Sequence, residues 1–411
     1  MRRRKAEPGV HWPRGATTRP RTFALAIVAA CVLLPTAFAR PPSLPPTSRI
    51  STPYVVIGYN DLGMHCMNAD FSEIMVLPPF NTLHAQLIRR GTSPDIETSS
   101  GDFEVRYFLP SNTHGADKSN FWAYPQPLLG PPPPPNFGIT GSGMSGTMAP
   151  TPQRDWMVTG IPLVPIDDSG QENAYPLATI EVHRRDTGAL AARTQAVVPV
   201  STEMSCNLCH NSPGVSTATD LLQAHDALHG TNLMSQRPVL CASCHSSNAL
   251  GLPGQTGLPS LSSAMHTAHA PRVAGYPAET QCYLCHPGIR TNCQRDVHAS
   301  NGINCTACHG DMLAVGNPTR QPWLDEPRCS NCHVRPGFSF EQPGVLYRNS
   351  VGHGNVHCAA CHGSPHAMGP AVTEVDNAQA NWLQGHSGKI DTCTVCHTPG
   401  PPGSFFHSQD D

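Results

Sequence analysis

The unit Cys-x-x-Cys-His occurs seven times between residues 206 and 397, and any fold open to this chain must accommodate it. The copies are Cys206–His210 (CNLCH), Cys241–His245 (CASCH), Cys282–His286 (CYLCH), Cys305–His309 (CTACH), Cys329–His333 (CSNCH), Cys358–His362 (CAACH) and Cys393–His397 (CTVCH). With 17 Cys and 22 His in 411 residues, composition alone gives about 0.04 chance matches. The intervals between successive units run from 23 to 41 residues, too irregular for a solenoid repeat.

The spacing has a mechanical reading. Two thiols three residues apart on one helical turn reach the vinyl groups along one porphyrin edge, and the next residue turns its imidazole to the iron. Seven covalent haem c groups are therefore expected. Their thioethers fall on Cys206 and Cys209, Cys241 and Cys244, Cys282 and Cys285, Cys305 and Cys308, Cys329 and Cys332, Cys358 and Cys361, and Cys393 and Cys396. The proximal ligands are His210, His245, His286, His309, His333, His362 and His397. A four-cysteine zinc site places no demand on the residue after the second Cys, and a disulfide framework has no use for a His there.

Ten further histidines follow residue 202. His298, His353 and His386 lie five to seven residues before a motif. His225/His229 and His266/His269 are spaced i,i+4 and i,i+3, each pair on one helix face. These seven are the expected distal ligands, with His366 in reserve and His357 and His407 expected to face solvent. Met204, Met234, Met265, Met312 and Met368 lack matching spacing. Cys66 and Cys293 stand outside the motifs, and in an oxidising compartment they suggest a disulfide. Free thiols are one alternative. A copper site around Met64-His65-Cys66-Met67, with His84 and His114, is another.

Residues 1–39 read as a signal peptide: Arg2, Arg3, Arg4 and Lys5 head a basic stretch, Phe23–Leu34 is apolar, and Ala37-Phe38-Ala39 offers a cleavage site. An uncleaved anchor and a lipidated Cys31 are the alternatives. Residues 40–51 form a Pro-rich linker, and 401–411 a tail. Residues 52–201 hold short β-branched and aromatic runs, at Tyr54–Tyr59, Phe103–Phe108 and Trp156–Pro165, with a hairpin turning at Arg185-Asp186-Thr187-Gly188. This predicts an all-β, sandwich-like domain. Residues 202–400 lose that pattern and keep short helical pieces such as Ala218–Leu228. With 13% charged and 6% aromatic residues, a conventional core is hard to build there, so the haem stack is expected to be the core. The net charge of −3 gives no support for nucleic acid binding.

Segments such as GHGNVHCAACHGSPH (352–366) and LQGHSGKIDTCTVCH (383–397) resemble the multihaem c-type cytochromes of bacterial respiratory and extracellular electron transfer. The resemblance covers residues 202–400. It implies neighbouring porphyrins almost in contact, mostly bis-His ligation, and electron exchange with redox partner proteins or an external acceptor. The periplasm, the outer-membrane surface or the exterior is the implied location, and a homo-oligomer is open. A reductase or oxidase of a small nitrogen or sulfur compound is the alternative. It would need an open iron, and no motif departs from Cys-x-x-Cys-His.

Overall fold

The computed structural model describes residues 52–124, 129–336 and 340–400, which belong to one compact unit. The expected signal peptide, linker, tail and His407 lie outside these residues. Among the described residues no helix is long and apolar enough to cross a membrane.

Eight strands make one antiparallel sheet: β1 (Tyr54–Tyr59), β2 (Asn81–Arg89), β3 (Asp95–Glu97), β4 (Phe103–Phe108), β5 (Ser145–Pro150), β6 (Trp156–Ile161), β7 (Leu177–Arg184) and β8 (Leu190–Val197). The hydrogen-bonded order is β1-β2-β6-β5-β4-β7-β8, with β3 on β2. Tyr54 lies opposite Arg89, and Tyr59 opposite His84. The β7–β8 hairpin turns where the sequence places it, with Ala192 opposite Val182.

This corrects the expected sandwich. Each strand bonds to the next instead of dividing into two stacked sheets, and the sheet curls until β8 reaches β1. A Cβ added at Gly58 would meet Ile180 and Ala196 at 2.6 and 2.9 Å, so glycine permits that approach. The seam lacks a ladder, and a side chain fills it. Gln379 accepts the Gly58 N–H (2.8 Å), donates to the Gly58 carbonyl (2.9 Å) and takes the Thr194 hydroxyl proton (2.8 Å). The amide thus stands in for a strand partner at an otherwise open edge.

The expectation of a core built by the haem stack is likewise corrected. Two clusters of side chains form the core. One lies inside the sheet around Phe71, Leu83, Tyr107, Trp156 and Ile180. The other joins Val55, Ile57 and Ile88 to Ala359, Ala360, Leu383, Ile390 and Val395. The C-terminal half is β-poor, with eight short α-helices in the described chain, the longest of 13 residues. It rests on the outer face of the sheet instead of enclosing a core of its own. No haem stack is evident, and among the described residues no three His, Cys, Asp or Glu side chains converge on one point. The physical reason is that the segments around Ala359, Leu383 and Val395 bury their apolar side chains against the sheet, while the stretch between residues 243 and 355 buries few large ones.

Polar contacts fasten the remainder. Arg295 is 1% exposed and binds Asp376 through two hydrogen bonds of 2.6 and 2.9 Å. It also donates to the carbonyls of Gly63 (2.6 Å) and Cys293 (3.1 Å). A buried guanidinium left without its carboxylate is strongly destabilising, whereas replacing both partners by apolar groups is close to neutral. Asp376→Leu is therefore expected to lower unfolding stability by about 3–5 kcal/mol. Adding Arg295→Met should recover most of that loss, as read by urea denaturation. Equal stability of the Asp376→Leu variant and the unaltered chain would contradict the keystone role.

Candidate functional site

All seven Cys-x-x-Cys-His units fold into one helical turn. In five of them the His N–H bonds back to the first Cys carbonyl: 2.9 Å at 206–210, 3.0 Å at 241–245, and 2.8 Å at 282–286, 329–333 and 393–397. Cys305–His309 and Cys358–His362 are short α-helices. The residues between the cysteines vary widely, yet the turn does not.

The N-terminal half and the segment just before the first motif fasten several of these turns. Residues 239–240 pair in parallel with 74–75, just before Cys241. Arg90 donates to the carbonyls of Thr394 (2.8 Å) and Val395 (3.0 Å). Gln86 accepts the His357 N–H at 2.8 Å, one residue before Cys358. Glu203 sits three residues before Cys206 and reaches the loop after His286. Its carboxylate accepts the N–H groups of Ile289 (2.8 Å), Arg290 (3.0 Å) and Thr291 (2.6 Å). Removal from water would raise this carboxyl, but the converging N–H donors outweigh it and hold it down at about 2.

The structure brings six motif histidines beside a second imidazole, with interplanar angles from 18° for His286 and His266 to 78° for His245 and His225. The ring centroids are 6.4 Å apart for His210 and His269, 6.4 Å for His245 and His225, 6.0 Å for His286 and His266, 6.0 Å for His309 and His366, 6.2 Å for His333 and His298, and 5.9 Å for His397 and His353. Two imidazoles on opposite sides of one metal, with bonds of about 2 Å and roughly 1.1 Å more to each ring centre, would place centroids about 6.2 Å apart. These spacings fit an iron between each pair.

The rings are also oriented. His266 and His269 donate Nδ1–H to the carbonyls of Ser262 and Met265, both at 2.7 Å, one turn back on helix α2 (Leu261–Val273). Helix α1 (Thr217–His229) precedes it and carries His225, whose Nδ1 meets the Thr231 hydroxyl at 2.9 Å. His245 Nδ1 donates to the Pro259 carbonyl (2.9 Å), His298 Nδ1 meets Asp296 (3.0 Å), His397 Nδ1 meets the Thr92 carbonyl (3.3 Å), and His366 Nδ1 lies 3.7 Å from the Cys293 sulfur. Committing Nδ1 in this way restrains the ring and leaves Nε2 as the nitrogen that could take a metal, as in the outer-shell arrangement around metal-bound histidine. Packing around His366 takes its ring out of water and pushes it down to about 4, so it is neutral, the form that binds a metal.

Of the seven expected distal residues, His225, His266, His269, His298 and His353 stand in such pairs. His366, the reserve, takes the place opposite His309. His229 lies 4.8 Å from His225, its helix neighbour. His386 turns Nε2 toward Thr392 at 3.3 Å and Asp391 at 3.5 Å. His362 closes its short helix, and its carbonyl accepts the Gly369 N–H at 2.8 Å. His357 is 1% exposed instead of solvent-facing, because its Nε2–H donates to the Gln153 carbonyl at 2.9 Å and its ring stacks on Tyr59.

The N-terminal residues weighed for copper are committed elsewhere. His84 Nδ1 binds the buried Asp155 carboxylate at 2.7 Å, His65 meets Asn60 (3.2 Å) and Asp61 (3.3 Å), and His114 lies between Asp117 and Asp168. Sequence reading missed the polar cluster of Tyr59, His84 and Asp155 within the sheet, since no spacing signals it. Cys66 and Cys293 are neighbours, both as thiols. Loss of water, with the Cys293 sulfur next, pushes the Cys66 thiol up to about 12.

No protein-family profile matches the chain, and neither a curated protein nor a solved structure shows significant similarity to it.

Glu203 generates a pH prediction with a definite sign. Its folded value of about 2 lies below the ordinary 4.5, so its contribution is complete above pH 4.5 and is lost as pH falls toward 2. The Glu203→Gln variant should be less stable than the unaltered chain at neutral pH, and the gap should close over that interval in acid unfolding curves. A gap that stays constant from neutral pH to about pH 2 would refute the assignment.

Proposed function

We propose that this chain is an exported c-type cytochrome that carries seven covalently attached haems and passes electrons between a respiratory donor and a periplasmic or external acceptor. The observation that supports it most is the recurrence of a motif histidine and a second imidazole about 6 Å apart, six times over. A zinc reading wants four ligands converging on one ion, and the Cys-x-x-Cys pairs do not converge in that way among the described residues.

The chain's own residues divide the work. The fourteen motif cysteines would form the thioethers, and they are half-buried or exposed, within reach of an attachment enzyme. The seven motif histidines would be the proximal ligands. His225, His266, His269, His298, His353 and His366 would supply the other axial nitrogen; the Ser262 and Met265 carbonyls, the Asp296 carboxylate and the Thr231 hydroxyl on Nδ1 would hold the rings of His266, His269, His298 and His225 in place. Bound haem supplies one-electron ferric–ferrous chemistry, with its potential set by axial ligands and burial. Large apolar side chains beside the motifs, Leu208, Ile289 (67% exposed), Leu313 (63%) and Val334 (79%), offer the surface a porphyrin face would cover.

Residues 1–39 support export, which covalent haem attachment requires. The sheet supports a docking and scaffolding role, for a redox partner, the outer-membrane surface or a second copy of the chain.

The test is expression with a c-type haem maturation system. The intact mass should rise by seven haems, and each Cys-to-Ala double substitution in one motif should remove a single haem. His366→Ala should convert one low-spin ferric signal to high-spin in the EPR spectrum. A product that holds zinc and no haem would overturn the reading.

A further inference from the structure

If the seven turns hold haems, their order in space governs where electrons enter and leave. Helix α2 carries His269, opposite His210, and His266, opposite His286. One helix thus serves the first and third motifs of the sequence, and the Ser205 N–H bonds to the Cys285 carbonyl at 3.3 Å. Helix α1 joins the first and second motifs. Its Asp220 lies against His210, and its His225 lies opposite His245; Cys241 is a neighbour of Cys206. The first motif therefore neighbours both the second and the third.

Beyond the third motif the links follow the sequence. The Cys282 and Cys305 side chains are neighbours, and the helix leading into Cys282 packs against the Cys305–His309 turn. The segments bearing His366 and His298 run side by side, with Arg295 N–H on the His366 carbonyl (2.8 Å) and Val297 N–H on the Met368 carbonyl (3.0 Å). This couples the fourth motif to the fifth, and Cys308 neighbours Cys332. Tyr347 packs beside both Cys329 and Cys358 and donates its hydroxyl to the Gly363 carbonyl at 2.8 Å. The Ile390 N–H bonds to the Cys361 carbonyl at 2.8 Å, and Cys361 and Cys396 border the same apolar cluster.

We propose that the seven attachment sites form one unbranched file in the order Cys241, Cys206, Cys282, Cys305, Cys329, Cys358, Cys393. The second motif of the sequence is one terminus and the seventh is the other. This ordering rests on the haem reading above and adds the two terminal sites as the places of exchange with partners. With haem bound at each site, transfer between neighbours would move one electron, oxidising a ferrous iron and reducing a ferric one, with no bond made or broken.

Iron positions from anomalous scattering in crystals of the unaltered, haem-loaded chain test the order directly. The iron attached at Cys206 should lie between those attached at Cys241 and Cys282. An iron at Cys206 with a single near neighbour, or one at Cys241 lying between the other two, overturns the proposal. In solution, Cys206→Ala/Cys209→Ala in the full chain should strand the haem at Cys241. After pulsed reduction, one haem's share of the fast absorbance change would then be lost beyond the haem removed. Cys241→Ala/Cys244→Ala should strand none, and the reverse pattern overturns the order. The haem count on the same samples separates the two failures. Seven haems with the wrong iron order sinks the order alone, whereas no haem sinks the reading beneath it.

Discussion

The guanidinium of Arg295, removed from water and clamped on Asp376, joins three stretches of chain that share no ladder: the Gly63 turn, the Cys293 segment and the 371–377 turn. Much of the C-terminal half depends on contacts of this kind. Between residues 243 and 355 hardly any large apolar side chain is buried, so hydrophobic burial cannot specify that region's shape. Buried charges and amides are demanding about geometry, because an unpaired one is costly. Arg295, Glu203 and Gln379 therefore specify position more than they add net stability. Each one fastens a motif-bearing segment to the sheet or to another such segment.

The same economy governs the imidazoles. A ring on a long loop would sample many orientations. At His266, His269, His245 and His298 its Nδ1 is spent on a backbone carbonyl or a carboxylate, and at His397 on the Thr92 carbonyl beside the sheet. Pre-orientation of this sort would lower the entropy lost if such a ring took up a metal and would select Nε2 for it.

The motif turns, the strands at Tyr54–Tyr59 and Phe103–Phe108, and the helix around Ala218–Leu228 were legible because each rests on local pattern. Closure of the sheet was not. It depends on Gly58 admitting Ala196 and on a glutamine more than three hundred residues away, neither of which leaves a periodic trace. The imidazole pairs were legible where two histidines share a helix face, as at His266 and His269. Spacing alone did not show that His386, seven residues before Cys393, turns to Asp391 and Thr392. His366 lies just after its neighbouring motif and reaches His309 only through the packing of the Arg295 segment. His357 is buried by Gln86 and Gln153, both from the sheet half.

Helix α2 has one consequence of a different kind. His266 and His269 are separated by three residues on a continuous helix, which fixes an axial offset of about 4.5 Å between them. Helical backbone is among the stiffest links a protein offers. The distance between the two sites it serves is therefore a property of covalent geometry and not of loop conformation. Thermal motion that displaces the helix carries both imidazoles together, so that junction keeps its length while the rest of the protein breathes.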